Sequence, residues 1–536
     1  MTIPSIMTRA AALLLATSAL QLGSIASVQA AGDLVIAVPA SIEPANLDFQ
    51  VDPYTPVILF DSFMTDPLVV PAPDGTYKPG LALEWTVAPD AKTFTLKLRS
   101  GVTFQDGTPF NAAAVKYNFE RILAPATASA LLANNVGPLK SMDVVDDLTI
   151  RFKYDVAWVT FLDMLTKAPM WSPTAAAAST PQTFDKKLVG TGPFKLAEWV
   201  ANDHIKMVKW DGYGGWNSVQ EHKGPALIDS VTLKFVGEES VLGSMVATGE
   251  ANVAYQIPAL SVEQYRDNAD FQLLAKGQSG TGLSMIMNAT SPPLDNKLVR
   301  QALLFGRDMK AVNELVYDGL YEPSDGPLNN IHRCFWPGAT TAYPYDPAKA
   351  KSLLEGAGWK EDGAGGRKAS GVKGVADGTP LTVRWTILHH QEIGEGVQGQ
   401  LKAIGVNLKI EKVPGPIQLE RVAKRDFDLM YERLRSSDPK ILDDMFNPAY
   451  SKPGGWFWNG YSSDELTKLV NEVRSNPDNA VRCDSAKKAQ EIIMDQALIF
   501  PTLSDPSYVA LAKGVEGFKM GAEGTNFFIH DVSIKK

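Results

Sequence analysis

Segments that alternate apolar with polar residues are interleaved along this chain with segments of helical periodicity. Every second residue is apolar at residues 94–98 and 149–152, as is typical of half-buried strands. Asn111 is a good N-cap for a helix whose apolar residues return every three or four positions. Further strands are expected at residues 381–387 and 406–410. This alternation predicts an α/β fold with mixed sheets that helices cover on both faces.

The length of the chain sets the number of lobes. With 536 residues, the chain exceeds what a single hydrophobic core normally holds. We therefore expect two or more lobes. The Gly-rich stretch at residues 363–378 lies between a predicted helix and a predicted strand, so we interpret it as a surface hairpin and not as a domain linker.

The charge balance excludes one class of partner. Lys and Arg total 51, Asp and Glu total 60, and the formal net charge is −9. A nucleic-acid-binding protein needs a basic face that displaces counterions from the phosphate backbone. We therefore expect no nucleic-acid partner.

The first thirty residues resemble a targeting signal. Arg9 is the only charge before an apolar run at residues 10–22, and Val28-Gln29-Ala30 fits the small-residue rule for signal peptidase. We predict a signal peptide over residues 1–30, cleavage after Ala30 and a periplasmic mature protein. A permanent N-terminal anchor is the alternative, although the apolar run is short for a membrane span.

The chain has two cysteines, Cys334 and Cys483. Two are too few for a disulfide framework, and no C-x-x-C pair suggests a zinc or redox site. A disulfide between them and two separate buried thiols both remain open.

The sequence offers no positive signal for catalysis. It lacks a G-x-S-x-G elbow, a phosphate-binding G-x-x-x-x-G-K-[ST] loop and an H-E-x-x-H pair. His389 and His390 are adjacent, but neighbouring residues on a strand point to opposite faces. The pair is therefore not expected to bind one metal ion. We interpret Asp443 and Asp444 as solvated charges. No catalytic residue, cofactor or metal ligand is predicted, and an unrecognised hydrolase remains an alternative.

One long segment is specific enough to suggest a family. Residues 74–122 are DGTYKPGLALEWTVAPDAKTFTLKLRSGVTFQDGTPFNAAAVKYNFERI. This segment resembles the family 5 solute-binding proteins of ABC importers, a group that includes dipeptide-, oligopeptide-, nickel- and opine-binding proteins. The similarity continues in order through VGTGPFKLAEW, YDPAKAKSLLEGAGW and RDFDLM. Many matching residues are turn glycines and core side chains, so most of the match identifies the fold and not the site.

The resemblance implies a fold and a function. The fold would be an α/β, two-lobed periplasmic binding protein of type II (a Venus flytrap) with an extra third domain. The function would be delivery of a peptide, an opine or another carboxylate- or phosphate-bearing solute to the permease subunits of an ABC importer, by a monomeric protein without a cofactor. A chemosensory protein that presents ligand to a receptor is an alternative. The implied boundaries are 31–65, 185–287 and 505–536 for lobe I, 66–184 for the extra domain, and 288–504 for lobe II.

The resemblance also places candidate ligand contacts. In peptide-binding relatives an Asp shortly before an acidic-Pro pair holds the free amine of the peptide, whereas Arg435 stands four residues before Pro439 here. A guanidinium at that place would bind a carboxylate or a phosphate and repel an ammonium. The alternative is a small alignment gap that makes Asp438 the anchor. The aromatic residues at 456–458 would stack on ligand or belong to the core. The residues that the resemblance assigns to the cleft are Glu43, Tyr255, Gln256, Trp385, Arg433, Arg435, Asp438, Trp456 and Asn459.

Overall fold

The structure is a computed structural model that describes residues 32–51, 62–72, 76–127, 129–180, 183–452, 454–521, 524 and 526–535. The predicted signal peptide and its cleavage site lie outside these residues. In the described part of the chain, no helix is both long and apolar enough to span a bilayer.

The strands are β1 (Asp33–Pro39), β2 (Val69–Pro71), β3 (Tyr77–Pro79), β4 (Ala82–Val87), β5 (Thr93–Leu98), β6 (Leu139–Asp146), β7 (Thr149–Tyr154), β8 (Phe194–Val200), β9 (His204–Lys209), β10 (Ser230–Val236), β11 (Val253–Tyr255), β12 (Phe271–Lys276), β13 (Leu283–Met287), β14 (Glu322–Pro323), β15 (Trp359–Glu361), β16 (Arg367–Ala369), β17 (Thr382–Ile387), β18 (Asn407–Lys412), β19 (Leu429–Glu432), β20 (Ile499–Ser504), β21 (Ser507–Ala512), β22 (Val515–Glu516), β23 (Lys519–Met520), β24 (Phe527–Phe528) and β25 (Ser533–Ile534).

The helices are α1 (Ala112–Leu123), α2 (Ala130–Val136), α3 (Phe161–Met164), α4 (Pro173–Ala177), α5 (Glu239–Ser244), α6 (Val262–Tyr265), α7 (Lys297–Phe305), α8 (Met309–Tyr317), α9 (Ala339–Ala342), α10 (Pro347–Gly356), α11 (Gln391–Ala403), α12 (Gly415–Lys424), α13 (Ile441–Phe446), α14 (Asp464–Ser475) and α15 (Asn479–Asp495).

A seven-stranded mixed sheet forms the centre of the first lobe, in the order β12-β21-β11-β1-β10-β9-β8. Strand β1 pairs in parallel with β10 and β11, and the remaining pairs are antiparallel. Successive residues of β1 point to opposite faces of the sheet. Ile36 belongs to one hydrophobic cluster and Ala37 to another. Both faces of this sheet are therefore covered, as the alternation of strands and helices predicts.

A six-stranded mixed sheet forms the centre of the second lobe, in the order β14-β20-β13-β19-β17-β18. Met285 belongs to the cluster on one face and Ile286 to the cluster on the other. The same two-sided burial therefore applies to this lobe.

A separate four-stranded antiparallel sheet, β4-β5-β7-β6, packs against α1. Strands β5 and β7 confirm the predictions at residues 94–98 and 149–152. The predicted cap is also confirmed, because the Asn111 side chain accepts a hydrogen bond from the Ala114 amide at 3.0 Å. The predicted hairpin begins at β15 and β16, which are antiparallel partners.

Two short segments join the two large sheets. Residues 277–282 connect β12 of the seven-stranded sheet to β13 of the six-stranded sheet, and residues 505–506 connect β20 to β21. Strand β13 pairs within the six-stranded sheet, although the predicted boundary at residue 287 assigns it to lobe I. The predicted division into domains otherwise stays a prediction.

A disulfide joins Cys334 to Cys483 across a sequence separation of 149 residues. The bond settles the question that the sequence leaves open. It links the segment before α9 to the first half of α15, so it is a cross-link within the second lobe.

Candidate functional site

The segment that follows β19 runs against the first connector between the sheets. Gly280 and Arg435 form an isolated antiparallel β-bridge. The Thr281 amide donates to the Leu434 carbonyl at 2.9 Å, and the Leu434 amide donates to the Thr281 hydroxyl at 2.8 Å. The segment around Arg435 is thus held at the junction of the two lobes.

Gly280 makes this close approach possible. Its φ is +139°, and a Cβ at this position would lie 2.2 Å from the Leu434 carbonyl oxygen. A side chain would therefore collide with backbone, which cannot move aside as a flexible side chain can.

Arg433 is neutralised inside this junction. Its guanidinium lies 2.5 Å from an Asp505 carboxylate oxygen and 2.6 Å from the Gln278 amide oxygen. Burial alone would lower the pKa of Arg433, but the charge of Asp505 raises it above its usual value. Gln278 and Asp505 belong to different connectors between the sheets, so Arg433 contacts both connectors.

Arg435 differs from Arg433. Its Nε is buried and has no hydrogen-bond partner in the part of the chain that the structure describes. Burial and the like charge of Arg433 lower the pKa of Arg435 to about 10, and Asp505 only partly opposes them. Asp505 is already ion-paired with Arg433. Arg435 is therefore a charged, largely desolvated group at neutral pH, and it suits an incoming anion.

Tyrosines from both lobes flank this guanidinium. Tyr255 ends β11 of the seven-stranded sheet, and Tyr431 lies in β19 of the six-stranded sheet. Burial raises the pKa of both phenols, and the charge of Arg435 works against that rise in each. The Gln256 amide donates to the Tyr255 hydroxyl at 3.4 Å. Four predicted residues, Tyr255, Gln256, Arg433 and Arg435, are therefore brought together here.

Glu432 is a member of this junction that the sequence analysis missed. It is 5% exposed, and its Oε1 accepts the Arg433 amide at 2.8 Å. Burial raises the pKa of Glu432 to about 8, although the hydrogen bond opposes the shift. Its carboxyl is thus largely protonated at neutral pH. An acidic residue at the end of the otherwise apolar strand β19 is the sequence signal that could have found it.

Asp438, the alternative anchor, is already paired within the second lobe. Its Oδ1 lies 2.5 Å from the Arg482 guanidinium and accepts the Lys440 amide at 2.9 Å. Burial alone would raise the pKa of Asp438, but Arg482 and these hydrogen bonds hold it below its usual value. This carboxylate therefore has a structural partner.

Two other predicted contacts lie in cores. Trp385 is 1% exposed, packs edge-to-face on Phe500 at 5.3 Å between ring centroids, and faces Gly394 of α11. Asn459 is fully buried, donates to the Met445 carbonyl and accepts from the Tyr461 amide. Both positions favour a packing role.

The last two predicted contacts are engaged elsewhere. Trp456 is half-buried and stacks on Trp458 with ring centroids 5.0 Å apart. The Glu43 carboxylate accepts the Asn202 amide at 2.9 and 3.1 Å, in the turn between β8 and β9. Neither is brought to Arg435 by a contact that the structure records, and their ligand contacts stay predictions.

The four-stranded unit also touches the second lobe. The Lys440 ammonium donates to the Asn135 side-chain oxygen at 3.0 Å, and the Arg474 guanidinium lies 5.1 Å from the centroid of the Trp158 ring. Asp443, interpreted from the sequence as a solvated charge, is 1% exposed here. That interpretation was wrong because Asp443 faces the interior of the second lobe, where burial raises its pKa to about 6.

The comparison with protein families decides the identity of this fold. The family model described as bacterial extracellular solute-binding proteins, family 5 middle, matches residues 76–456. The chain belongs to this family. It is a solute-binding protein of the ABC importer type, and its fold is the two-lobed α/β fold of the type II periplasmic binding proteins. Members of the family are periplasmic and bind peptides or small molecules for importer permeases.

Individual relatives agree with this assignment. The glutathione-binding protein GsiB of Shigella flexneri serotype 5b (strain 8401) is 27% identical over 462 residues, which cover 85% of this chain and 86% of GsiB. NikA from Brucella suis in complex with Fe(III)-EDTA superposes with a TM-score of 0.79 at 20% identity, over 94% of this chain and 100% of NikA. The dipeptide-binding protein from Pseudoalteromonas sp. SM9913 in complex with Met-Leu superposes with a TM-score of 0.78 at 21% identity, over 94% of this chain and 100% of the dipeptide-binding protein.

Proposed function

We propose that this protein captures a carboxylate-bearing solute between its two lobes in the periplasm and presents it to the permease subunits of an ABC importer. It acts as a monomer, without catalysis, after removal of residues 1–30. Lobe I comprises residues 31–65, 185–282 and 505–536, the extra domain 66–184, and lobe II 283–504, which moves β13 into lobe II. N-terminal sequencing tests the processing, and the exported protein is expected to begin at Ala31. Sedimentation velocity tests the oligomeric state.

The observation that carries this proposal is the state of Arg435. The guanidinium of Arg435 at the lobe junction has lost much of its hydration, and Asp505, the acid whose charge acts on it, is ion-paired with Arg433. A carboxylate is planar and can accept two parallel hydrogen bonds from a guanidinium. An anionic solute would therefore recover the interaction energy that Arg435 lacks in the protein alone.

The ligands named for the relatives support a carboxylate. Glutathione, the dipeptide Met-Leu and Fe(III)-EDTA differ in size and shape, but each contains carboxylate groups. GsiB covers most of this chain in sequence, which makes a glutathione-like or short-peptide solute the first compound class to test.

The arrangement of the two lobes explains how binding is coupled to delivery. Arg435 follows β19 of the second lobe and Tyr255 ends β11 of the first, so a ligand that contacts both favours the closed arrangement. Such a ligand shifts the population toward the closed form, which the permease would recognise.

The decisive experiment identifies the ligand and then removes its anchor. Mass spectrometry of the solute released on denaturation should yield a carboxylate, and calorimetry then measures its affinity. Truncating one side of a desolvated charge pair typically weakens binding by about 2–5 kcal/mol. We therefore expect Arg435→Ala to reduce affinity by well over about tenfold, and Arg435→Lys to restore only part of it.

Two variants serve as comparisons. Arg384→Ala removes an arginine that pairs with Asp426 at the opposite end of the same sheet, and we expect unchanged affinity. Asp438→Asn tests the alternative anchor, with its melting temperature recorded because Asp438 also pairs with Arg482. Tight dipeptide binding that survives Arg435→Ala and disappears in a folded Asp438→Asn variant would overturn the carboxylate proposal.

A further inference from the structure

Two histidines and an aspartate converge in the first lobe, away from the lobe junction. His222 lies in the loop before β10, and His530 and Asp531 lie between β24 and β25. The two imidazole rings stack with centroids 3.9 Å apart. One ligating atom from each of the three side chains lies within 4.8 Å of the others. The sequence predicts no metal site here, since His222 stands 309 residues before Asp531.

The hydrogen bonds fix which ring nitrogens carry protons. The Nε2 of His222 lies 2.9 Å from the Pro225 carbonyl oxygen, and the Nε2 of His530 lies 2.8 Å from the Gly224 carbonyl oxygen. Because a carbonyl oxygen can only accept, both Nε2 atoms must be donors. In neutral rings each Nδ1 then presents a lone pair.

Both Nδ1 atoms point at the same carboxylate oxygen. The Asp531 Oδ1 lies 2.8 Å from His222 Nδ1 and 3.1 Å from His530 Nδ1. Two neutral rings would turn two lone pairs against a negative oxygen. Two protonated rings would stack two cations at van der Waals distance, and like charges this close oppose one another. One protonated and one neutral ring would still leave one lone pair facing the carboxylate. A divalent cation among the three atoms would remove these conflicts, provided that the rings turn out of their near-parallel stack so that both lone pairs aim at the ion.

The surroundings are those of a metal centre. A metal-bound histidine usually donates its other ring N–H to a carbonyl or carboxylate, which fixes its orientation, and both rings do so here. Lys519 Nζ lies 2.9 Å from Asp531 Oδ2. The Glu221 amide donates to both carboxylate oxygens, at 3.1 and 3.0 Å, and the His222 amide approaches Oδ1 at 3.4 Å. The carboxylate is therefore held firmly, with Oδ1 turned toward the imidazoles.

We propose that His222 Nδ1, His530 Nδ1 and Asp531 Oδ1 form a binding site for a divalent transition-metal ion of the zinc class. Two imidazole nitrogens and one carboxylate oxygen are a donor set that suits such ions. The His222 side chain is 28% exposed, whereas those of His530 and Asp531 are 2% and 8% exposed. One side of the site therefore stays open for entry of the ion and for a water ligand.

The site lies within the first lobe, and metal binding there does not depend on the proposed ligand. The ion would link the loop around His222 to the C-terminal segment that carries His530 and Asp531. Because these segments are distant in sequence, a bond between them restricts a long loop of the unfolded chain and stabilises the folded lobe.

The test uses the mature full-length chain after removal of metal by a chelator. We expect about one equivalent of Zn²⁺ by calorimetry and elemental analysis, and a rise in melting temperature on addition of Zn²⁺. Co²⁺ should give the visible absorption bands of a nitrogen- and oxygen-ligated ion. His222→Gln, a change at the exposed ligand, should weaken Zn²⁺ binding by at least about tenfold and abolish the thermal shift. His530→Gln should behave in the same way.

His204→Gln is the matched control. His204 also lies beside carboxylates, 2.9 Å from Asp203 and 3.3 Å from Glu198, but it belongs to no group of three ligands among the described residues. Its removal should leave Zn²⁺ binding intact. Absence of saturable Zn²⁺ binding in the parent chain, or equal Zn²⁺ affinity in folded His222→Gln, would overturn the proposal.

Discussion

Arginine side chains in the second lobe differ in what neutralises them. Arg433 is paired with Asp505 and Arg482 with Asp438, each at 2.5 Å. Arg435 has a buried Nε without a partner among the described residues. A charged group with a buried donor that lacks a partner is costly, and such groups are often found at functional sites. The contrast between these neighbours is therefore stronger support for a ligand contact than the mere presence of an arginine.

Glu432 leads to a prediction about pH. Its pKa in the folded protein is about 8, against 4.5 for the ordinary side chain. Between these values the folded state holds a proton that the unfolded state has lost, so Glu432 lowers the free energy of unfolding as pH rises. Glu432→Gln removes this dependence. Relative to the parent, we expect the variant to gain on the order of 1–3 kcal/mol between pH 5 and pH 8.

Urea unfolding at a series of pH values measures this difference. Glu420→Gln is the control, because Glu420 is exposed and pairs with Lys424 on the surface of α12, and its difference from the parent should stay near zero above pH 6. A pH-independent difference for Glu432→Gln would show that the carboxyl is already ionised in the folded protein.

Single residues differ in how far the sequence reveals them. Arg435 could be singled out because its spacing to Pro439 is local and resembles a family pattern. Glu432 lies three positions earlier, but its protonated state depends on burial, which no spacing encodes. The convergence of His222 on His530 depends on where the C-terminal segment folds back, so the sequence alone gave no reason to associate them.

At the scale of elements, two connectors and one disulfide determine how the lobes hold together. The connector around Gly280 is locked to the segment after β19 by backbone hydrogen bonds. The Cys334–Cys483 bond holds α15 against the segment before α9. The hydrogen bonds of the connector affect how the two lobes move relative to each other. The disulfide affects the stability of the second lobe.

The disulfide should contribute measurably to the stability of the second lobe. A bond that closes a loop of this length restricts the unfolded chain, and removal of a native disulfide typically costs about 2–5 kcal/mol. We expect the double variant Cys334→Ala/Cys483→Ala to lose stability in that range in urea unfolding. Dithiothreitol should lower the unfolding midpoint of the parent and leave the double variant unchanged. An unchanged parent midpoint under full reduction would contradict this expectation.

The elements themselves were largely predictable. Strands β5 and β7 and the cap at Asn111 follow from alternation and capping, which are local properties. The membership of β13 in the six-stranded sheet was not predictable in the same way. A strand buried on both faces has no alternation, and its sheet is decided by the partners β19 and β20, which are distant in sequence.

At the scale of the whole molecule, the four-stranded unit and the second lobe are in contact. Asn135 at the end of α2 meets Lys440, and Trp158 meets Arg474. Lys440 also pairs with Asp444 at 2.8 Å, so its ammonium is held between one acceptor from each unit. We infer that these contacts belong to the closed state, because they join surfaces on two different units.

Weakening this contact should reduce ligand affinity without touching the ligand. Asn135→Ala deletes the acceptor that the four-stranded unit offers to the Lys440 ammonium, and a hydrogen bond of this kind contributes about 0.5–1.5 kcal/mol. The closed form becomes less populated by that free energy, and the apparent dissociation constant rises in proportion. We expect about a two- to tenfold weaker affinity by calorimetry, together with a larger radius of gyration at subsaturating ligand in small-angle scattering. Lys140→Ala is the control, because Lys140 pairs with Asp155 on the exposed surface of the same unit and should change neither quantity. Parent-like affinity and scattering in Asn135→Ala would show that this contact forms equally in the open state, and the closure would then rest on the junction around Arg435 alone.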